Sequence, residues 1–248
     1  PLPERVPARG AERGKVALFT GCTGELFERG ALHAAAGLLS RWGYSVRIPG
    51  EQACCGAMDQ HAGERDRFEA LARRNLAAFD DPEETVVFIA SGCGALLAGY
   101  AQWLEGPEAE AFSGRVREIS DFLCANAGGP ALRPLPEKVA VHVPCSQKNV
   151  LKAPNAARKL LERIPGVQPV ALPNGELCCG AAGRYVLDYP ETADALRERQ
   201  LEGLESTGAR YLVSTNVGCA LHLAAGARER GLEVEILHPV ELLVRQLA

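Results

Sequence analysis

No apolar stretch in this 248-residue sequence approaches the roughly 20 residues that a membrane-spanning helix needs. Val86 to Ala90 and Tyr211 to Val213 are typical of its longest runs. No block of Lys or Arg stands out, and the formal net charge is −4, so nucleic acid has no electrostatic footprint here. The opening Pro1 to Gly14 has charges and three prolines but no apolar signal-peptide core. Residues 1–14 are therefore read as a linker following something that once preceded them, and the protein as cytoplasmic. Nucleotide motifs are missing too. There is no Gly-x-Gly-x-x-Gly after a strand, no P-loop and no nucleophile elbow. A tight Cys-x-x-Cys-x-x-Cys ferredoxin run is also absent. A flavin, nicotinamide or nucleotide site of its own is thus not expected, which favours relaying electrons over substrate chemistry.

What the sequence does have is nine cysteines. Without secretion, cysteines are better read as ligands or redox thiols than as a disulfide framework. Eight of them repeat. The first half reads Gly21-Cys22, Cys54-Cys55-Gly56 and Gly92-Cys93. The second reads Pro144-Cys145, Cys178-Cys179-Gly180 and Gly218-Cys219. Intervening gaps are 31 and 37 residues in one half, 32 and 39 in the other.

The surroundings repeat with them. β-rich runs at Lys15–Thr20 and Lys138–Val143 end just before the first Cys of each half. Further short runs fall at Ser45–Ile48 and Gln168–Leu172, then at Thr85–Ala90 and Tyr211–Thr215. A fourth run leads into a helix at Val116–Leu123 and Val234–Leu243. Helical spacing marks Ala31–Trp42, Arg65–Phe79, Asn155–Arg163 and Thr192–Leu204. Alternating strands and helices predict an α/β protein of parallel βαβ units. The expectation is two Rossmann-like half-domains related by a pseudo-twofold axis, each with a mainly parallel sheet of about four strands. The first repeat spans 15–127 and the second 138–248. The Gly- and Pro-rich stretch 128–137 is the joint. Ligands in such folds gather at the carboxyl ends of strands, where the first and last Cys of each repeat fall.

Four thiolates complete either a 4Fe–4S cluster or a tetrahedral zinc. Adjacent cysteines chelate one metal poorly through a relaxed backbone but reach two irons of a larger cluster. That favours Cys22, Cys54, Cys55 and Cys93 as one cofactor-binding set and Cys145, Cys178, Cys179 and Cys219 as another. Gly56 and Gly180, without a Cβ, let the backbone turn tightly beside the sulfurs. His222 follows Cys219 at Cys-x-x-His spacing, where the first repeat has Leu96, and is a candidate additional ligand. His33, His61, His142 and His238 are read as structural or surface residues, with His61 and Tyr185 able to line the sites. Arg184 is a candidate for offsetting cluster charge. Cys124, in an apolar helix and without a repeat partner, is read as a core residue.

These motifs resemble the cysteine-rich CCG-domain family. That family includes the CCG-bearing component of heterodisulfide reductase, lactate-utilisation iron–sulfur proteins and glycolate oxidase iron–sulfur subunits. The stretches Ala53–Asp59, Ala90–Ala95, Leu177–Tyr185 and Asn216–His222 are most similar to the C-terminal part of the last group. The resemblance runs from Lys15 to the end. It implies one or two 4Fe–4S clusters, with the noncubane type associated with five-cysteine motifs. The fifth position here is Leu96 or His222, which leaves ordinary clusters, or zinc at one site, open. It also implies an electron-transfer subunit of a flavin-dependent 2-hydroxy-acid dehydrogenase. An FAD-containing partner subunit would oxidise glycolate or a related acid, and electrons would pass toward a quinone at the inner face of the membrane. The glycolate oxidase group carries an additional N-terminal ferredoxin domain, so a ferredoxin-type domain or subunit is a further expected partner. Heterodisulfide-type thiol chemistry at a cluster, and a zinc-binding structural role, stand as alternatives.

Overall fold

The protein, described by a computed structural model over residues 2–248, divides into two compact units after Pro130. In the first unit the strands are β1 (Arg5–Val6), β2 (Gly14–Phe19), β3 (Tyr44–Arg47), β4 (Thr85–Phe88) and β5 (Val116–Glu118). They form one sheet in the order β1-β3-β2-β4-β5. Only the β1–β3 pair is antiparallel; β2–β3, β2–β4 and β4–β5 are parallel. The helices of this unit are α1 (Cys22–Phe27), α2 (Arg29–Arg41), α3 (Ala57–His61), α4 (Arg65–Ala78), α5 (Ser91–Leu97), α6 (Pro107–Arg115) and α7 (Ile119–Ala125).

The second unit has β6 (Lys138–His142), β7 (Gln168–Ala171), β8 (Tyr211–Ser214) and β9 (Glu235–Leu237), ordered β7-β6-β8-β9 and parallel throughout. Its helices are α8 (Ala156–Leu161), α9 (Tyr185–Asp188), α10 (Pro190–Thr207), α11 (Val217–Glu229) and α12 (Pro239–Arg245). Apart from β1, the two units share one topology. This is the mixed α/β, mainly parallel architecture expected from the alternating pattern.

Central strands are buried on both faces, so they read as unbroken apolar runs rather than alternations. Val16, Ala17, Leu18 and Phe19 in β2, and Val86, Val87 and Phe88 in β4, are all buried. Helix α2 turns Ala31, Leu32, Ala35, Leu38 and Leu39 inward. The two cores differ in chemistry. All seven Phe and both Trp of the sequence lie in the first unit. There Phe19, Phe79, Phe112, Tyr100 and Phe68 form a chain of rings with centroids 5.5–6.0 Å apart. The second core is aliphatic, and Cys179 and Cys219 belong to it beside Leu201, Leu212 and Leu223.

Within the stretch read as a linker, Arg5 and Val6 pair with Arg47 and Val46 on the sheet edge. In each unit the first long parallel strand lies inside the sheet. The chain leaves it for one neighbour, then crosses to the other side. That reversal of strand order opens a crevice between β2 and β4, and likewise between β6 and β8.

Candidate metal centres

The cysteines flank these crevices. Cys22 opens α1 directly after β2, and Cys93 lies in the first turn of α5 directly after β4. Cys219 holds the same place in α11 after β8, where the side chain of Asn216 accepts from its N–H at 3.3 Å. Free N–H groups in a helix's first turn favour anionic ligands nearby. The Cys-Cys pairs come in on the loops after β3 and β7.

Those loops are tied down by side chains. In the first unit Gln52 accepts from Thr20 N–H at 2.8 Å, linking the loop to the end of β2. Buried Asn75 on α4 accepts from Ala53 N–H at 2.8 Å and donates to Cys54 C=O at 3.0 Å. The hydroxyl of Tyr100 donates to Cys55 C=O at 2.8 Å. In the second unit Gln200 on α10 donates to the carbonyls of Asn174 and Leu177, at 2.8 and 3.1 Å. Gly56 and Gly180 both sit in the left-handed region, at φ 84° and 92°. A Cβ on Gly56 would lie 2.9 Å from the Phe68 ring, and one on Gly180 only 2.2 Å from the Ala193 carbonyl oxygen. Both turns therefore require glycine.

The result is two sulfur clusters. Cys22 Sγ lies 3.3 Å from Cys54 Sγ, and Cys179 Sγ lies 2.8 Å from Cys219 Sγ. None of the nine cysteines is in a disulfide. In the first set the thiols of Cys22 and Cys55 donate to Cys54, with help from Gly56 N–H, so Cys54 ionises far more readily than an ordinary thiol. Donation to Cys54, reinforced by burial, pushes Cys22 up. Cys55 is pushed up by its thiol contacts with Cys54 and Cys93 and by burial. The second set repeats this. Cys178 is lowered by donation from Cys145 and Cys179, whereas Cys145 and Cys179 are raised. Cys54 and Cys178 thus ionise readily, while thiol donation and burial hold the protons on Cys22, Cys55, Cys145 and Cys179. A bound cation removes that restraint. Soft, crowded thiols held on turned loops fit an iron–sulfur cluster or zinc.

Of the histidines, His33 and His61 are exposed. His238 caps α12, its Nδ1 accepting from Val240 N–H at 3.2 Å. His222 is buried on α11 with Nε2 3.2 Å from the Ala193 carbonyl, outside the group of ligand atoms described next. His142, read from sequence as structural, ends β6 with a ring nitrogen within 4.8 Å of both Cys179 and Cys219 sulfurs. Burial holds its pKa down near 4, against an opposing pull from Cys178. Arg184 is exposed and lies 3.5 Å from Asp188, while Cys124 is half-buried on α7. Asn75 and Tyr100 escaped the sequence reading, which named His142 only as structural. A residue-by-residue comparison of the strand ends, Phe19 against His142, carries the signal for the last.

The Cysteine-rich domain family (CCG) matches residues 16–98 and 139–224, one match in each unit. The chain belongs to the CCG cysteine-rich domain family. It is 30% identical over 98% of its length to the glycolate oxidase iron-sulfur subunit of Escherichia coli (strain K12), covering 60% of that protein. A probable glycolate oxidase iron-sulfur subunit of Bacillus subtilis (strain 168) is 31% identical over 98% of the chain and 57% of its own length. Lactate utilization protein A of Shouchella clausii (strain KSM-K16) is 26% identical over 92% of the chain and 98% of its own length. The chain therefore spans about 60% of the glycolate oxidase relatives. Among the described residues no helix is long and apolar enough to cross a membrane.

Proposed function

We propose that this chain is an iron–sulfur electron-transfer component of a flavin-dependent 2-hydroxy-acid dehydrogenase of glycolate oxidase type. The observation that carries the reading is the doubled sulfur set, each seated at the strand-order reversal of a βαβ unit. Cys22, Cys54, Cys55 and Cys93 would hold one 4Fe–4S cluster, and Cys145, Cys178, Cys179 and Cys219 another. Such a cluster supplies one-electron transfer. The chain's own residues supply the rest. Asn75, Tyr100 and Gln200 fix the loops that present the ligands. Buried Cys55, Cys179 and Cys219 keep water from one side of each set.

The partner would be an FAD-containing subunit that oxidises the hydroxy acid, with electrons leaving toward a ferredoxin-type domain or a quinone. Five of the exposed large apolar side chains support such docking, since they follow cysteines closely in the sequence. Leu26 and Phe27 follow Cys22, Met58 follows Cys55, Val150 follows Cys145 and Leu221 follows Cys219. Exposed apolar groups beside a centre are what a docking partner covers. The test is to mix the anaerobically loaded chain with a glycolate-oxidising flavoprotein and glycolate, following the cluster absorption. Bleaching that requires both glycolate and flavoprotein supports the reading. Loaded protein that bleaches with dithionite but never with the flavoprotein would sink it.

A further inference from the structure

The two centres are built on one plan, yet the residues beneath them differ. In the first unit the last residues of β2 and β4 are Phe19 and Phe88, paired in register and both buried. In the second unit the same places on β6 and β8 hold His142 and Ser214, also paired and buried. Two hydrocarbon rings in one unit are thus a hydrogen-bonded polar pair in the other, with His142 Nδ1 3.0 Å from Ser214 Oγ. Burying such a pair where hydrocarbon would serve costs stability unless the pair has a task.

Position indicates the task. His142 is 3% exposed, and its ring lies with Cys179 and Cys219 in a group whose ligand atoms are all within 4.8 Å of one another. Ser214 Oγ also receives the Asn216 N–H at 3.3 Å, so the hydroxyl is fixed in place. A histidine that ligates a metal characteristically gives its other ring N–H to an oxygen, which sets the tautomer and the ring plane. Ser214 Oγ, 3.0 Å from His142 Nδ1, supplies such an oxygen.

We propose that His142 is a nitrogen ligand of the second centre, with Nδ1–H donating to Ser214 and Nε2 facing the group held by Cys179 and Cys219. The first centre is then all-sulfur and the second is mixed nitrogen and sulfur. This rests on the reading of the cysteines as metal ligands. His142, not His222, is the histidine concerned, because His142 and not His222 shares the group of ligand atoms with Cys179 and Cys219.

The test is pulsed EPR on the full chain, reconstituted anaerobically with iron and sulfide, together with iron, sulfide and zinc counts. A centre that takes up zinc is read after exchange for paramagnetic cobalt(II). The wild type is expected to show a nitrogen coupling of directly bound imidazole that becomes a 15N coupling on 15N-histidine labelling. H142F, which installs the residue of the first unit, is expected to lose that coupling, and H222F to keep it. Should H142F not fold, H142N serves in its place. Two loaded centres without imidazole coupling, or coupling that survives in the His142 variant, overturn the assignment. Failure of either centre to take up any metal instead overturns the reading of the cysteines.

Discussion

Cys55 and Cys179 are the most deeply enclosed sulfurs of the first and second sets. Each touches two neighbouring thiols, so each is a point on which its set depends. C55A or C179A is expected to remove about half of the bound iron and leave the other half, read by iron analysis of the purified variants. The neighbouring glycines set a second expectation. G180A forces a Cβ against the Ala193 carbonyl in a left-handed turn, and should cost about 3 kcal/mol or more in denaturant unfolding. G56A has its tightest contact with the Phe68 ring edge rather than with a carbonyl and should cost less. The cysteines were readable in the sequence because eight of them recur in register. Asn75 and Tyr100 were not, because their work is to bond the carbonyls of Cys54 and Cys55, and a carbonyl leaves no mark on residue type. His142 was read as structural, and the ligand role proposed for it rests on the structure. Its strand was found, but the exchange with Phe19 has meaning only once β6 and β8 are seen to pair.

At the scale of elements, the βαβ alternation was plain because fully buried parallel strands leave short apolar runs between helical ones. The two-residue β1 was not, since it has no period of its own and exists only by pairing with β3. The junction of β5 and α7 makes a further prediction. Glu118 caps α7, accepting from Ser120 and Asp121 N–H at 2.8 and 3.1 Å. Those bonds favour its charged form, but burial outweighs them and pushes its pKa from 4.5 up to about 7. The folded chain therefore keeps a proton there that the unfolded chain has released. Stability contributed by this group is greatest below about pH 4.5 and falls as pH rises toward 7, by at most about 1.4 kcal/mol per pH unit. E118Q keeps a capping oxygen without the charge. Its unfolding free energy is expected to vary less between pH 5 and 7 than that of the wild type, as measured by urea titrations across that range. An equal slope in both proteins would count against the burial argument.

For the whole molecule, one strand plan carries two sulfur sets, with an aromatic core under one and an aliphatic core under the other. Exposed apolar residues beside the cysteines give the partner surface its prediction. F27D is expected to slow reduction by the flavoprotein about tenfold, the cost of losing one well-packed interface side chain. Its iron content should stay unchanged, because Phe27 is exposed and points no donor at the sulfurs. Equal reduction rates in F27D and wild type would remove this face from the interface.

The central claim is that both sulfur sets hold iron–sulfur clusters. Its most direct measurement is the iron, acid-labile sulfide and zinc content of anaerobically prepared protein, with EPR of the reduced sample. The account predicts iron and sulfide in equal amounts, divided between two centres. Stoichiometric zinc in both sets, with neither iron nor sulfide after anaerobic reconstitution, would contradict it.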